Sequence, residues 1–394
     1  MQEFLGKFWF LILKHFVFLA LCVALIVLQA SEHLVNKKMN DYFDYSFDSK
    51  FIQDYANHCF GLVIFGILKL VQLSCKPCGR NENAMLYWRC FSFYATPLMV
   101  CGMCRAIYGE INVLTRHVAS DYNFENHFSI IILVPLTLLL HHLMLKVPIS
   151  LLKLICLFVV VIGYLVSTVP HILFQINDGN LNFDSQLTTQ MICNIFSWLP
   201  LSLCFIFSEF IMHDVQMSSS NIANIIHFNF MTFFYGIMFK SIFIGVEMIR
   251  ILVDSTTIGN FFNEVLHAFS STFFIPGSTF VDEHRLYQLL GNFILIVKWI
   301  VVAGIATYKD GAFTNAVCFI IVIPTQILVE YLERSSLPVG ASIIIFLLPA
   351  TFVALSLPLL LAYTLQPVPN SQALLSIVMP TSAVQRIRQR PINL

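Results

Sequence analysis

The chain has 394 residues, a formal net charge of zero and an apolar composition, with 58% hydrophobic and 11% charged residues. A soluble domain carries about 25% charged residues, so this composition excludes an ordinary soluble enzyme and a disordered chain. The 22 basic and 22 acidic residues balance, which leaves no basic surface for binding nucleic acid. The composition therefore predicts a polytopic membrane protein.

Ten apolar segments are long enough to cross about 30 Å of hydrocarbon as α-helices. They lack the alternation of a membrane β-barrel, so we predict an all-α fold. The first could be mistaken for a signal peptide, but its apolar run extends back to residue 8, so we expect it to be retained. The predicted spans are 9–31, 56–74, 91–112, 122–145, 150–172, 188–212, 222–249, 286–307, 312–333 and 340–364.

The distribution of Lys and Arg predicts the orientation. Twelve of the 22 basic residues fall on the side that carries both termini, seven fall on the other side and three lie inside spans. Both termini are therefore expected in the cytosol. The longest connection, 250–285, then lies on the non-cytosolic side. Its segment 261–269 has the amphipathic pattern of an interfacial helix, with an ordinary ordered loop as the alternative. The polar tail 367–394 is expected to be disordered.

An internal repeat relates the fourth and ninth spans. Residues 121–135 and 310–324 align at an offset of 189 with six identities in fifteen positions. The polar and proline identities are Asp121/Asp310, Asn126/Asn315 and Pro135/Pro324. The alignment predicts two five-helix repeats, 1–172 and 173–366. Because five is odd, the repeats have opposite orientations, a plan that recurs in secondary transporters. The prolines predict paired kinks around a central cavity, or two unrelated kinks as the alternative.

Polar residues inside the spans are candidates for the binding site, because such residues tend to face the interior of a helix bundle. Two stripes at helical spacing are expected to line a cavity. The first contains Asn123, His127, Val134, Leu138 and His141, with Asn126 beside it, and the second contains Asn315, Val322, Gln326 and Glu330. Each histidine could instead be a packing residue, and Glu330 could lie at the headgroup level.

Two cations and one carboxylate complete the candidate site. Arg105 and Lys298 lie in equivalent spans of the two repeats and would favour an anionic cargo. The alternatives are snorkelling to an interface or an ion pair with Glu110 or Glu209. Glu209 shares a helix face with Ser202 and is our first candidate for a proton-binding carboxylate.

The eleven cysteines predict neither a metal site nor a disulfide framework. One C-x-x-C pair, 75–78, falls on a predicted cytosolic loop, and the other, 101–104, falls inside an apolar span. A zinc site would need that loop to fold onto the third span, so we expect no metal and no cofactor.

Three segments resemble the drug/metabolite transporter superfamily, and more narrowly the chloroquine-resistance-transporter-like proteins. They are NKKMNDYFDYSF at 36–47, LPLSLCFIFSE at 199–209 and FTNAVCFIIVIP at 313–324. The resemblance covers roughly 10–365 in layout. It implies proton-coupled or gradient-driven export of amino acids, short peptides or cationic drugs from a vacuole-like or lysosome-like compartment. The long loop between the seventh and eighth spans is typical of this family, but here it lacks the family's cysteines.

The expected function is therefore secondary transport by a monomer in an intracellular membrane, with protons as the coupling ion and the lipid bilayer as its surroundings. The alternative within the superfamily is a nucleotide-sugar or sugar-phosphate exchanger that uses Arg105 and Lys298 as a phosphate clamp. An intramembrane enzyme using His141 or His142 would be a different class, but no HExxH or GxSxG motif is present. A structural membrane protein without cargo would instead show a closed, dry helix interface.

Overall fold

The computed structural model describes residues 16–32, 34–35, 47–74, 95–118, 130–177, 185–215, 221–253, 258–273, 282–308, 310–333 and 352. This part of the chain is almost entirely α-helical, with a short 3-10 turn at Ile130–Ile132 before α4. The helices are α1 (Phe16–Glu32), α2 (Phe47–Ser74), α3 (Ala95–Val118), α4 (Leu133–Leu145), α5 (Leu151–Asn177), α6 (Ser185–Val215), α7 (Asn221–Val253), α8 (Ile258–Thr272), α9 (Asp282–Ala306) and α10 (Gly311–Glu333).

Five helices are long and apolar enough to cross a membrane, which supports the predicted membrane class. Their apolar stretches are Ile52–Gln72, Leu151–Val169, Ile195–Met212, Ile222–Val246 and Leu286–Ala306. Three shorter apolar helices cover Phe16–Glu32, Ile130–Leu145 and Gly311–Thr325. The predicted span 340–364, apart from residue 352, and the tail 367–394 lie outside the described residues.

The surface and the interior divide as expected for a protein in lipid. Large apolar side chains are exposed along the helices, for example Leu151 and Ile222, which are each 74% exposed, and Phe158. Polar and charged side chains, including Lys240 and Arg105, are instead buried. Apolar belts of this extent normally mark a surface covered by lipid or a partner.

Contacts between side chains fix the relative directions of neighbouring helices. Helices α3 and α6 are antiparallel, because Cys101 faces Cys204 while Tyr108 lies against Trp198. Helices α2 and α7 are also antiparallel, with ion pairs and hydrogen bonds joining their opposite ends. Helices α4 and α6 run in the same direction, since contacts advance along both together.

The 250–285 connection contains the helix α8, as its amphipathic pattern predicts, rather than an irregular loop. Its buried Phe261 and Ala268 pack against α2. Gln53 of α2 donates a hydrogen bond to Thr272 at 2.8 Å. Phe262 and Leu266 on the opposite side are exposed. The structure therefore anchors α8 on the bundle and leaves these two apolar side chains exposed.

The two repeat-related prolines occupy different places in their helices. Pro135 lies in the first turn of α4, directly after the 3-10 turn, where a missing N–H costs little. Pro324 lies inside α10, and a third proline, Pro200, lies inside α6. The structure therefore places proline in the interior of α10 but only in the first turn of α4.

Candidate functional site

A cluster of four ionisable side chains joins α4, α5, α6 and the start of α10; we call it the His141 cluster. His141 Nε2 lies 3.2 Å from Glu209 Oε2, and its Nδ1 lies 3.9 Å from Asp310 Oδ1. Lys153 Nζ donates a short hydrogen bond to Asp310 Oδ1. The backbone N–H of Ala312 donates to Glu209 at 2.8 Å. The imidazole therefore lies between two carboxylates at ion-pair distance, and its Nε2 makes no hydrogen bond to the described residues. Each carboxylate accepts a hydrogen bond from another donor.

The local backbone explains why these groups converge. Asp310 has a left-handed φ of 56°, which aspartate tolerates better than most residues, and its carbonyl accepts the N–H of Thr314 at 3.0 Å. Asp310 therefore caps α10 and leaves the first amides of that helix without intrahelical partners. Glu209 accepts one of them, the Ala312 N–H. The partial positive charge of the helix N-terminus favours a carboxylate at this place.

All four members of the His141 cluster are buried. Removing a charge from water costs several kcal/mol, so these groups must compensate one another. With a neutral imidazole the cluster carries two negative charges and one positive charge. With a protonated imidazole the charges balance, and both ring nitrogens carry a proton. One proton therefore decides whether this part of the interior is neutral.

Ser202 and Thr137 extend the same contact between α4 and α6. Thr137 Oγ1 lies 2.9 Å from Ser202 Oγ, and both side chains are buried. Ser202 precedes Glu209 by seven residues, so the two lie on the same side of α6. The structure thus places both predicted α6 residues against α4.

A second cluster joins α2, α3 and α7; we call it the Lys240 cluster. Lys240 Nζ donates to Asp54 Oδ2 and, at 2.9 Å, to Glu110 Oε1. His58 Nδ1 lies 3.5 Å from Asp54 Oδ1. Lys240 is fully buried. This cluster contains one lysine, two carboxylates and one histidine, the same set of groups as the His141 cluster.

The two clusters lie near opposite ends of the bundle. Because α3 and α6 are antiparallel, with Tyr108 against Trp198, Glu110 is level with about residue 196 of α6. Glu209 lies about thirteen residues further along that helix, which is roughly 20 Å at a rise of 1.5 Å per residue.

Arg105 lies between the two clusters, in a slot between two aromatic rings. Its Cζ atom is 3.6 Å from the centroid of Phe233 and 3.9 Å from that of Trp299. The residue is 2% exposed. Its Nε and Nη2 atoms have no hydrogen-bond partner within the described part of the chain.

Lys298, the second predicted cation, also lies near Trp299, but it forms an ion pair with Glu32. Its Nζ lies 5.7 Å from the Trp299 ring centroid and donates to Glu32 Oε2 at 2.5 Å. The structure therefore brings Arg105 and Lys298 together around Trp299. The carboxylates Glu110 and Glu209, which the sequence offered as partners, bond instead to Lys240 and to His141 and Ala312.

The remaining predicted residues are placed only in part. Asn315 is buried, and its Nδ2 donates to the carbonyl of Val302 at 3.2 Å, which ties α10 to α9. The α4 stripe residues Val134 and Leu138 and the α10 stripe residue Val322 are also buried. Asn123, Asn126 and His127 lie outside the described residues, as do the side chains of Gln326 and Glu330.

The sequence did not single out Asp54, His58 or Asp310 as site residues. Lys240 was visible as a charge within a span, and a buried lysine requires an acidic partner. Its partners lie 186 and 130 residues away, so spacing along the chain could not reveal them.

The His141 cluster also has the donor atoms of a possible cation site. Ligand atoms of His141, Glu209 and Asp310 lie within 4.8 Å of one another. However, the Lys153 ammonium already holds Asp310 and would repel a divalent cation. In the described part of α3, Cys101 faces Cys204 of α6, while Cys75 and Cys78 lie outside the described residues.

No protein-family model matches the chain, and no curated protein sequence matches it. A solved structure described only as "Crystal structure of protein" aligns with 89% of this chain and 99% of its own. The sequence identity is 11% and the TM-score is 0.49. This similarity is too weak to support an argument about fold or function.

Proposed function

We propose that the protein is a proton-coupled secondary transporter that moves small organic solutes across an intracellular membrane by alternating access. The observation that carries the proposal is the His141 cluster, in which a buried imidazole lies between Glu209 and Asp310. Buried ionisable groups inside a membrane bundle are costly and tend to mark ion or proton pathways.

The plan of ten spans in two inverted repeats is part of the same proposal. The described helices support it, because their relative directions agree with a chain that crosses the membrane in alternate directions. Helices α4 and α10, the fourth and ninth spans, also contact each other. Inverted repeats place the cargo site near the midplane, which is the level of Arg105 between the two clusters.

The two clusters act as opposite gates in this mechanism. A proton on His141 neutralises its cluster and strengthens the contacts of α4 with α6 and α10, which closes that end. Loss of the proton leaves one excess negative charge, and the end opens. The Lys240 cluster closes the other end by holding α2, α3 and α7 together.

The orientation follows from the distribution of Lys and Arg. Both termini and the His141 cluster lie on the cytosolic side, and the Lys240 cluster and α8 lie on the lumenal side. A vacuole-like or lysosome-like lumen supplies the protons. The chain works as a monomer, because one chain holds both repeats, and we assign no catalytic role to the cluster. Amino acids and short peptides are the proposed cargo, with cationic drugs as a further class.

The alternative, a phosphate clamp made of Arg105 and Lys298, is weaker. Lys298 is already bonded to Glu32, so only Arg105 would remain to neutralise a dianion. We therefore retain the solute transporter as the proposed function.

Uptake by reconstituted protein tests the proposal. Liposomes with and without an inward proton gradient are offered labelled amino acids, short peptides and nucleotide sugars. We expect gradient-stimulated uptake of an amino acid or peptide, abolished in Glu209→Gln. Uptake of a nucleotide sugar by counter-exchange, unaffected by the gradient, would contradict the proposal.

A further inference from the structure

Arg105 differs from every other buried cation that the structure describes, because it has no acidic partner there. Lys153, Lys240 and Lys298 are each bonded to a carboxylate. The two carboxylates that act on Arg105 electrostatically, Asp54 and Glu32, are among those already held by lysines. Within the described part of the chain, the guanidinium of Arg105 is therefore a buried cation with no carboxylate in direct contact.

The atoms without partners on Arg105 form a defined binding edge. Nε and Nη2 are both buried and both without a hydrogen bond to the described residues. These are the two nitrogens whose N–H bonds point the same way along one side of the guanidinium plane. A carboxylate accepts from such a pair with its two oxygens in parallel, which is the strongest common form of this contact.

The aromatic walls restrict how a ligand can approach. Phe233 and Trp299 cover the two faces of the guanidinium at 3.6 and 3.9 Å. A cation between two rings gains cation–π attraction, but the rings offer no acceptor to the in-plane N–H groups. Any ligand must therefore meet the guanidinium at its edge, in its own plane.

We propose that Arg105 is the anion-binding residue of the cargo site and that it takes one carboxylate group of the cargo in a side-on, two-point contact. The identification of the ligand as cargo rests on the proposed transport function, whereas the carboxylate site does not. A carboxylate supplies the two parallel acceptors that Nε and Nη2 lack. A phosphate dianion would bring a second negative charge for which no neighbouring cation is spare, because Lys240 and Lys298 already bond to carboxylates.

The site is closed in this structure. Protein encloses both nitrogens, and the two clusters hold the helices together on either side of Arg105. The proposed gating explains this closure. Opening at the His141 cluster would give a ligand access to the guanidinium edge from one side, and opening at the Lys240 cluster would give access from the other.

The first test needs no ligand. The variant Arg105→Met replaces the charge by a flexible apolar side chain that fits between the rings. A binding residue without a partner costs stability, so we expect the melting temperature of the purified full chain to stay within about 2 °C of wild type or to rise. A fall of more than about 5 °C would show that Arg105 is a structural residue and would overturn the proposal.

The second test uses acetate as the probe. Replacing Trp9, Trp88 and Trp198 by Phe leaves Trp299 as the only tryptophan, so its fluorescence reports on the site. At equal ionic strength, acetate should raise the melting temperature and shift the Trp299 emission, whereas chloride and acetamide should do neither. Arg105→Lys keeps the charge but loses the two-point edge, so acetate affinity should fall about tenfold or more.

Several outcomes would contradict the carboxylate site. They are an acetate response no larger than the chloride response, a response that persists in Arg105→Met, and a phosphate response larger than the acetate response. Neither test uses a proton gradient or a transport substrate. Arg105-dependent acetate binding without proton-driven uptake would therefore refute the proposed function alone. Proton-driven uptake without Arg105-dependent acetate binding would refute this site alone.

Discussion

The sulfur atoms of Cys101 in α3 and Cys204 in α6 lie 3.4 Å apart in the buried interior. The two cysteines belong to different predicted repeats, so this contact joins the halves of the chain. Cys101 Sγ also lies 3.6 Å from Oγ of Ser208, the residue directly before Glu209. The contact between α3 and α6 therefore lies close to the His141 cluster along α6.

Oxidation should link these two cysteines. With a protease site introduced in the connection between α5 and α6, the membrane-permeant oxidant iodine should keep the two fragments together on a non-reducing gel. Cys101→Ser should abolish the link, and Cys156→Ser, a buried cysteine of α5, should not. Separate fragments in the oxidised parent would contradict the α3–α6 packing.

The Lys240 cluster should be sensitive to loss of its single cation. Lys240→Met leaves Asp54 and Glu110 buried without their shared donor, and removing one partner of a buried pair costs about 3–5 kcal/mol. The melting temperature in detergent should fall, and the added change Glu110→Gln should recover part of the loss. Equal stability of Lys240→Met and wild type would show that the cluster is not formed.

Close contact between α3 and α7 requires a glycine at position 102. A Cβ atom there would lie 2.7 Å from Tyr235 Cβ and 2.8 Å from the Thr232 carbonyl oxygen. Gly102→Ala should therefore force the helices apart and cost about 1–3 kcal/mol. Gly245→Ala in α7 is the matched control, because it meets nothing within 4 Å. The prediction fails if both variants melt alike.

The exposed apolar side of α8 should contact lipid. Phe262 and Leu266 are 54% and 66% exposed on the side away from α2. A nitroxide label at Leu266 should be relaxed more by oxygen, which concentrates in the bilayer, than by a water-soluble nickel chelate. A label at the exposed His267, which lies about 100° around α8 from Leu266, should show the reverse order. Two labels with the same preference for the chelate would place the whole of α8 in water.

The sequence predicts the helical class and the amphipathic α8 because both depend on local composition. It also singled out Arg105, Ser202, Glu209 and His141, which the structure buries, since polar residues inside apolar helices stand out without any knowledge of the fold. Their partners could not be predicted in the same way. Asp310 follows the end of α9 and resembles an ordinary loop residue, and only the turn that gives it a positive φ carries it into the interior.

The pairing of cations was the other point that the sequence left open. Lys298 and Arg105 looked equivalent, one in each repeat, and the repeat suggested that they share one role. The structure separates them, because Glu32 at the end of α1 neutralises Lys298. Which carboxylate reaches which cation depends on how the helices pack, and the spacing within each helix carries no information about that.

Proton movement driven by the cargo tests directly whether transport is coupled to protons through His141. Proteoliposomes containing a pH-sensitive dye are given the amino acid or peptide that the wild type transports, with no proton gradient imposed. We predict that cargo influx acidifies the lumen in wild type and in His142→Gln, a change at the exposed neighbour that bonds to the Val147 carbonyl. We predict no acidification in His141→Gln, because the proton-binding ring is gone. Acidification at the wild-type rate in His141→Gln, or cargo influx in wild type without any change in pH, would contradict the account.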